Sequence, residues 1–292
     1  MAHMFKGTGV ALVTPFNADG SVDYNSLEKL VSHVITNGVN YLVALGTTAE
    51  TPTLTAEEKK EVLAFIIKTC NKRVPVVCGI GSNNTAEVLH ALKTYDLAGV
   101  DGILSVVPYY NKPTQEGLYQ HFKAIASATD KPIILYNVPG RTVTNMLPAT
   151  SLRLAKEFKH IVAIKEAVGQ MPQCMELVQG RPDGFAVLSG DDDLVLPQLA
   201  LGMDGVISVA ANCFTKDFTG MVNAGLSGDF DTARKLHYKL LKGIGLLFTE
   251  GNPPGVKYVL SQMGICGNNL RLPVVPISSS HEEKINDFLK TL

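Results

Sequence analysis

Eight short apolar segments recur along the chain, and each is followed by Gly, Pro, Asn or Asp and then by a stretch with helical spacing. The segments cover residues 9–13, 41–45, 74–78, 102–106, 133–136, 161–164, 186–189 and 205–208. This alternation predicts a parallel sheet, because successive parallel strands need a crossover connection, usually a helix. The segments are almost continuously apolar, so we expect both faces of the sheet to be covered.

Amphipathic stretches fill the intervals between these segments. Candidate helices cover residues 24–35, 56–70, 85–98 and 114–128. The sequence Thr55-Ala-Glu-Glu58 has the pattern of a capping box at a helix start, and Thr85 and Ser151 are further candidate capping residues.

The count of eight strand-helix units favours a closed (β/α)₈ barrel, with residues 1–215 forming the barrel. An open doubly wound sheet is disfavoured, because the turn after the first strand, Thr14-Pro15-Phe16-Asn17, lacks the glycines of a dinucleotide-binding turn. Residues 216–292 contain no further strand pattern. They are predicted to form a barrel-closing helix and a C-terminal helical extension, interrupted at Gly251-Asn-Pro-Pro254.

Composition excludes several classes of protein. The 292 residues are 46% hydrophobic and 18% charged, with a formal net charge of −1, so no overall field favours nucleic acid or an anionic membrane. No apolar run of membrane-spanning length occurs, and we expect a soluble cytoplasmic protein. The five cysteines are scattered without a C-x-x-C pair, which predicts reduced, mostly buried thiols.

Motifs for bound groups are weak in this sequence. Gly79-Ile-Gly81 is an isolated G-x-G, and the seven histidines show no metal-binding spacing. We therefore predict no cofactor and no metal.

In a (β/α)₈ barrel the active site lies at the carboxyl ends of the strands, so the polar residues that follow each apolar segment are the candidates. These stretches are Gly46-Thr-Thr-Ala-Glu50, Pro108-Tyr-Tyr-Asn111, Tyr136-Asn-Val-Pro-Gly-Arg141, Lys165-Glu166 and Ser189-Gly-Asp-Asp192.

Lys165 is the most informative of these residues. It shares the strand parity of Ile161 and Ala163, so we expect all three side chains to point into the barrel. Burial disfavours the charged ammonium and leaves free amine for attack on a ketone, which is the requirement for a Schiff-base nucleophile. The alternative is a strand-end lysine that extends to solvent or pairs with Glu166.

Three hydroxyl groups are candidates for proton transfer near this amine. Tyr136 ends the neighbouring fifth strand, and Thr47 and Tyr110 follow the second and fourth strands. The alternative roles are aromatic packing for the two tyrosines and helix capping for the threonine.

Charged residues on the loops suggest the kind of substrate. Arg141 follows a Pro-Gly turn, and its guanidinium suits a carboxylate, although it could instead be a solvated loop residue. Asp191, Asp192 and Asp193 place carboxylates where phosphate-binding barrels present backbone amides, which disfavours a sugar phosphate. Asp192 and Asp193 could also simply begin the next helix.

Together these motifs resemble the dihydrodipicolinate synthase family, within the pyruvate-dependent class I aldolases that include N-acetylneuraminate lyase. The likeness runs through nearly the whole chain. It rests on the stretches given above, on the longer block Pro108 to Tyr119 and on Gly205-Val-Ile-Ser208.

The resemblance implies a lyase that condenses pyruvate with L-aspartate 4-semialdehyde, in the route to diaminopimelate and lysine. Lys165 would form the imine, and Tyr136, Thr47 and Tyr110 would form the proton relay. It also implies a homotetramer or homodimer, in which Tyr110 reaches the partner's site.

The substrate-binding residues implied by the resemblance surround this lysine. Arg141 would hold the carboxylate of the semialdehyde, and the backbone amides of Thr47 and Thr48 would receive that of pyruvate. The backbone carbonyl of Ile207 would lie near the imine.

A separate allosteric lysine site is also implied, and it would comprise Thr51, Ala56, Lys59, Gly81, Asn83, Glu87 and Tyr109. Ala56 and Lys59 replace the histidines of the bacterial pattern. Ala49 and Val143 replace glycines of the family, and a left-handed backbone at Ala49 would be strained.

Two rival functions share part of this pattern. A sister aldolase acting on sialic acid or a 2-keto-3-deoxy sugar acid would keep Lys165 and Tyr136, but Arg141 disfavours a polyol substrate. A barrel that serves only as a binding protein would lose the lysine-tyrosine pair, and this chain retains both residues.

Overall fold

The computed structural model describes residues 2–292 and shows eight parallel strands in a closed barrel, in the order β1 to β8. The strands are β1 (Gly7–Ala11), β2 (Tyr41–Ala44), β3 (Val76–Gly79), β4 (Gly102–Val106), β5 (Ile133–Asn137), β6 (Ile161–Glu166), β7 (Ala186–Ser189) and β8 (Gly205–Ser208). The predicted (β/α)₈ barrel is confirmed, and all eight predicted segments overlap a strand.

Glycines close the seam of the barrel, where β1 pairs with β8 and Gly7 lies opposite Gly205. Gly205 has φ of 152°, and a Cβ atom there would collide with the backbone oxygen of Gly7. The residue at position 205 must therefore be glycine for the two strands to approach.

Twelve α-helices accompany the strands in the described part of the chain. They are α1 (Tyr24–Thr36), α2 (Ala56–Cys70), α3 (Thr85–Thr94), α4 (Gln115–Ala126), α5 (Pro139–Thr142), α6 (Pro148–Glu157), α7 (Met171–Gly180), α8 (Val195–Ala200), α9 (Thr215–Leu226), α10 (Phe230–Phe248), α11 (Pro254–Gln262) and α12 (Ser279–Leu289).

Helix starts test the capping predictions. The capping box at Thr55 and Glu58 is present, with both reciprocal hydrogen bonds. The prediction for Thr85 is wrong, because the Asn84 side chain one residue earlier accepts from the Ala86 amide at 3.0 Å. Ser151 is also not a cap, since α6 begins at Pro148 and Ser151 is buried within it.

The core has two layers, one inside the barrel and one between the strands and the helices. Inside-facing and outside-facing residues alternate along most strands, but β6 has a bulge where Ile133 pairs with Ile161 and Ile134 pairs with Ala163. Ile161 therefore belongs to the outer layer, and the prediction that it points into the barrel is wrong. Ala163 lies inside, and the alternation resumed after the bulge carries Lys165 inward as well.

The C-terminal helices complete the outer layer. Helix α9 contacts β1 and β8, and α10 lies against α9 and α12. The division of the chain at residue 215 stays a prediction. None of the helices in residues 2–292 is long and apolar enough to cross a membrane. All five cysteines are unpaired and buried, as predicted.

Candidate active site

Lys165 lies near the carboxyl end of β6, in register with Tyr136 on β5 and Leu188 on β7. Its side chain is buried, with 5% of its surface exposed, and its Nζ lies 4.3 Å from the centre of the Tyr136 ring. Within residues 2–292 Lys165 forms no salt bridge, and Glu166 bonds to other side chains. The alternative roles as a solvated or Glu166-paired lysine are therefore wrong.

Gly190 makes room for the Lys165 side chain. A Cβ atom at Gly190 would lie 2.5 Å from the Cβ of Ala167 and 3.1 Å from the Cε of Lys165. Any larger residue would therefore push the lysine away from its position beside Tyr136.

A cavity of about 420 Å³ opens above Lys165 at the carboxyl end of the barrel. Six of its lining residues carry polar or charged side chains that bear on the chemistry: Thr47, Thr48, Tyr136, Arg141, Lys165 and Asp191. Phe248 and Asn252 close the cavity from the C-terminal extension. The structure thus brings together five of the seven predicted catalytic and substrate-binding residues.

The other two predicted residues lie outside this cavity lining. Tyr110 has 87% of its surface exposed and φ of 72°, so in a single chain its ring is in solvent. Ile207 is buried inside the barrel on β8, with 1% of its surface exposed.

The turn after β2 lines the cavity with Gly46, Thr47 and Thr48. Thr47–Ala49 form a single 3₁₀ turn, and the amides at the start of such a turn have no partner within it. The Thr48 hydroxyl accepts a hydrogen bond from Asn252 at 3.0 Å, which ties this turn to the extension. Asn252 escaped the sequence analysis, because Gly251-Asn-Pro-Pro254 was interpreted only as a helix interruption.

The two replaced glycines differ in their backbone conformation. The strain expected at Ala49 is absent, because the left-handed conformation falls on Leu45 and Glu50 instead. Val143 does adopt a left-handed conformation, with φ of 56°, which is an unfavourable conformation for a β-branched residue. It is 67% exposed.

A buried ion pair supports the turn from below. The Lys257 Nζ lies 2.5 Å from the Glu50 Oε1, and both side chains are almost fully buried. Lys257 also donates to the backbone oxygen of Asn269 and lies over the Phe16 ring, while the Arg271 amide donates to Glu50. This cluster, Glu50 with Lys257, fixes the Thr47–Ala49 turn to α11 and the loop after it.

A second buried network lies behind the Tyr136–Lys165 pair, on the outer face of the barrel. Asn137 and Glu166 are in register on β5 and β6, and the Asn137 Nδ2 donates to the Glu166 Oε1 at 2.8 Å. Gln173 on α7 donates to the other Glu166 oxygen at 3.3 Å. Burial raises the pKa of Glu166 to about 8, although both amide donors act in the opposite direction.

We expect Glu166 to make stability depend on pH. Its pKa is raised on folding, so its contribution to stability is full below about pH 4.5 and is lost as the pH rises to about 8. Glu166→Gln removes the titrating group. The free energy of unfolding of Glu166→Gln minus that of the wild type should therefore increase by ~2–4 kcal/mol from pH 5 to pH 9.

Urea unfolding of both proteins at several pH values measures this difference. The exposed residue Glu28 provides the control, because Glu28→Gln should keep a constant difference from the wild type. A difference between Glu166→Gln and the wild type that does not change with pH would contradict the assignment.

The alternative that Asp192 and Asp193 begin the next helix is wrong, because α8 begins at Val195 and its N-cap residue is Leu194. The Asp192 Oδ2 accepts hydrogen bonds from the Val209 and Ala210 amides, at 3.0 and 2.8 Å, and so holds the loop after β8. Burial raises the pKa of Asp192 to about 6. Asp191 lines the cavity beside Lys165, and sequence analysis used it only to exclude a phosphate.

A second cavity, of about 430 Å³, adjoins the first and shares Thr47, Tyr136 and Arg141 with it. Of the residues implied for an allosteric site, five line this cavity: Thr51, Lys59, Gly81, Glu87 and Tyr109. Asn83 and Ala56 do not line it, and the backbone oxygen of Asn83 accepts from Asn111 at 3.0 Å. The Glu87 carboxylate already accepts from the Ser82 hydroxyl at 2.6 Å.

The fold and this site define a class: (β/α)₈ barrels that present a buried amine, a neighbouring phenol and a guanidinium to one cavity. The dihydrodipicolinate synthetase family matches residues 4–292 of the chain. The chain belongs to this family.

Individual relatives agree with that assignment over almost their whole length. A 4-hydroxy-tetrahydrodipicolinate synthase of Parabacteroides distasonis is 52% identical over 287 residues, which are 98% of this chain and 97% of the relative. The crystal structure of dihydrodipicolinate synthase from Thermotoga maritima is 43% identical, with a TM-score of 0.96 over 99% of this chain and 98% of that one. The Acinetobacter baumannii dihydrodipicolinate synthase, solved in complex with pyruvate, is 44% identical, with a TM-score of 0.95 over 98% of both chains.

Proposed function

We propose that this protein is a Schiff-base-forming lyase that condenses pyruvate with L-aspartate 4-semialdehyde to 4-hydroxy-tetrahydrodipicolinate. The observation that carries the proposal is the buried amine of Lys165, which lies over the Tyr136 ring at the base of a cavity that also contains Arg141. Family membership and the relatives' names support the same reaction.

In the first half of the reaction, Lys165 attacks the ketone carbon of pyruvate. A carbinolamine forms and loses water to give an imine. The pyruvate carboxylate lies on the backbone amides of Thr47 and Thr48. The hydroxyl groups of Tyr136 and Thr47, which line the same cavity as Lys165, give and take the protons that addition and dehydration require.

In the second half, the pyruvate methyl carbon loses a proton and the imine becomes an enamine. The enamine carbon attacks the aldehyde of the second substrate, which forms the new carbon-carbon bond and a hydroxyl group. The amine of that substrate then attacks the imine carbon and displaces Lys165, so that ring closure releases the product. Ile207 lies near the imine through its backbone carbonyl in this scheme.

Arg141 is proposed to hold the carboxylate of the semialdehyde. It lines the cavity and forms no salt bridge within the described chain, so its guanidinium is available. We expect Arg141→Ala to lower kcat/KM for the semialdehyde by about 10- to 100-fold, the loss of one charge-assisted contact. Imine formation with pyruvate should change less than about twofold.

Steady-state kinetics and borohydride trapping separate these two effects. Arg153→Ala is the control, because Arg153 is exposed and pairs with Glu116 away from the cavity. Equal loss of semialdehyde use and of imine formation would refute the role given to Arg141.

The choice of substrate is tested directly with the purified protein. Pyruvate and L-aspartate 4-semialdehyde should be consumed together, whereas N-acetylneuraminate and 2-keto-3-deoxy sugar acids should not be cleaved. Cleavage of either sugar acid with a kcat/KM higher than that of the condensation of pyruvate with L-aspartate 4-semialdehyde would contradict the proposal and favour the sister-aldolase function.

Tyr110 is proposed to act in the cavity of a second copy of the chain, within a homodimer or homotetramer. The supporting observation is a large aromatic side chain that is almost fully exposed, is held in a left-handed conformation and directly follows Tyr109, which lines the second cavity. Sedimentation of the active enzyme as a single chain would contradict this assignment.

A further inference from the structure

Asp191 is the only acidic residue among the described residues that line the Lys165 cavity. The other charged lining residues are Lys165 and Arg141, and both are cationic. One cavity therefore contains two basic side chains and one carboxylate, and these groups can be compared with those of the substrates.

The Asp191 carboxylate is fixed in place, but only one of its two oxygens accepts a hydrogen bond from the described residues. Its Oδ2 accepts a hydrogen bond from the Gly169 amide at 3.1 Å. The Ser189 hydroxyl donates to the backbone oxygen of Asp191 and accepts from the Asp191 amide, each at 3.1 Å. The Oδ1 accepts no hydrogen bond from any residue in 2–292, and Asp191 forms no salt bridge there. Burial raises the pKa of Asp191, and Asp193 adds to the rise, while the Gly169 amide and Lys165 act in the opposite direction.

The proposed second substrate carries both charges that the cavity could match. L-Aspartate 4-semialdehyde has a carboxylate and an ammonium on the same carbon, besides its aldehyde. Arg141 matches the carboxylate but repels an ammonium. Lys165 is already bonded to pyruvate when the second substrate reacts in the proposed mechanism, so it cannot bind the ammonium either.

Asp191 lies on the side of the cavity where the substrate nitrogen must be during ring closure. The substrate nitrogen finally attacks the carbon bonded to the Lys165 Nζ, so it must lie beside Lys165. Asp191 follows Gly190, which borders the Lys165 Cε, and the Lys165 charge acts on the Asp191 carboxyl. Arg141 approaches the same cavity from the loop after β5.

We propose that Asp191 is a specificity-determining residue that binds the ammonium group of the amino-aldehyde substrate through its free Oδ1. This inference rests on the proposed function. Together Asp191 and Arg141 select an α-amino acid aldehyde over an aldehyde acid that lacks the amino group.

The test compares two aldehydes that differ only in this group, using Asp191→Asn. L-Aspartate 4-semialdehyde is assayed as the substrate, and succinate semialdehyde is assayed as a competitor against it. We expect the KM for aspartate semialdehyde to rise by about 10- to 100-fold, because one charge-assisted hydrogen bond is lost. The inhibition constant of succinate semialdehyde and the KM for pyruvate should change less than about twofold.

Two further variants control for charge and folding. Asp193→Asn removes the same charge from the exposed neighbouring residue and should leave the KM for aspartate semialdehyde within about twofold. Asp191→Glu keeps the carboxylate and should recover part of the loss, and it carries the test if Asp191→Asn does not form the imine with pyruvate.

The outcomes separate this inference from the proposed function. An unchanged KM for aspartate semialdehyde, or an equal weakening of both aldehydes, overturns the role of Asp191. A wild-type protein that forms the imine but does not consume aspartate semialdehyde overturns the proposed function instead.

Discussion

Lys165→Ala is expected to lower kcat/KM for the condensation by at least about 10⁴-fold. The proposed reaction passes through a covalent bond to this nitrogen, and no other lysine lines the cavity within residues 2–292. Tyr136 and Arg141 would still bind and polarise substrates, but no imine could form. Steady-state assay of the purified variant measures the loss.

A matched lysine on the same segment controls for the removal of a charge. Lys159 is exposed and lies just before β6, so Lys159→Ala should keep wild-type activity within about twofold. The near-ultraviolet circular dichroism of Lys165→Ala should match that of the wild type, which shows that the barrel is folded. A folded Lys165→Ala protein that keeps more than about 1% of wild-type kcat/KM would contradict the mechanism.

Lys257→Met is expected to lower the free energy of unfolding by about 3–5 kcal/mol, because it leaves the Glu50 carboxylate buried without its cation. The Lys257 and Glu50 side chains are 0% and 1% exposed, so water cannot replace the lost partner. Burial lowers the pKa of Lys257, but the Glu50 carboxylate opposes that shift. Equilibrium urea unfolding at pH 7 measures the change.

The same variant should also weaken pyruvate binding. Glu50 directly follows the Thr47–Ala49 turn, whose amides are proposed to receive the pyruvate carboxylate, so a displaced Glu50 moves that turn. We expect the KM for pyruvate to rise more than the KM for the semialdehyde.

Two comparisons separate the buried pair from a general effect of removing lysine. Lys239 pairs with Asp217 at 2.7 Å but is 40% exposed, so Lys239→Met should cost less than about 1 kcal/mol. The double variant Glu50→Gln with Lys257→Met should recover part of the loss, because it removes the unpaired charge. If Lys257→Met were as stable as Lys239→Met, the buried Glu50 carboxylate would not need Lys257 for its stability, and the account would be contradicted.

Much of the barrel is predictable from sequence, because burial on both faces makes each strand a continuous apolar run. Strands β4, β7 and β8 have the predicted bounds. The inward orientation of Lys165 is predicted correctly, although the argument placed Ile161 on the same face. Ile161 faces outward because a bulge in β6 separates it from Ala163 and Lys165. Ala163 and Lys165 follow the bulge, so their common direction is preserved.

The supporting contacts of the site are not predictable in this way. Asn252 bonds to Thr48 and Lys257 pairs with Glu50, across more than 200 residues in each case. Nothing local in the sequence indicates which loops meet at the cavity. From the sequence alone, Asn252 therefore belongs to a helix interruption, and Lys257 is an ordinary lysine of a predicted helical region. Asp191 shows the same limit, because its role depends on which other charges share its cavity.

The central claim is that the Lys165 amine forms an imine with pyruvate, and reduction with borohydride in the presence of pyruvate tests it most directly. Peptide mass mapping after reduction should find one pyruvate-derived adduct per chain, on the peptide that contains Lys165, and none without pyruvate. An adduct on any other lysine, or no adduct in a protein that is folded and active, would contradict the account.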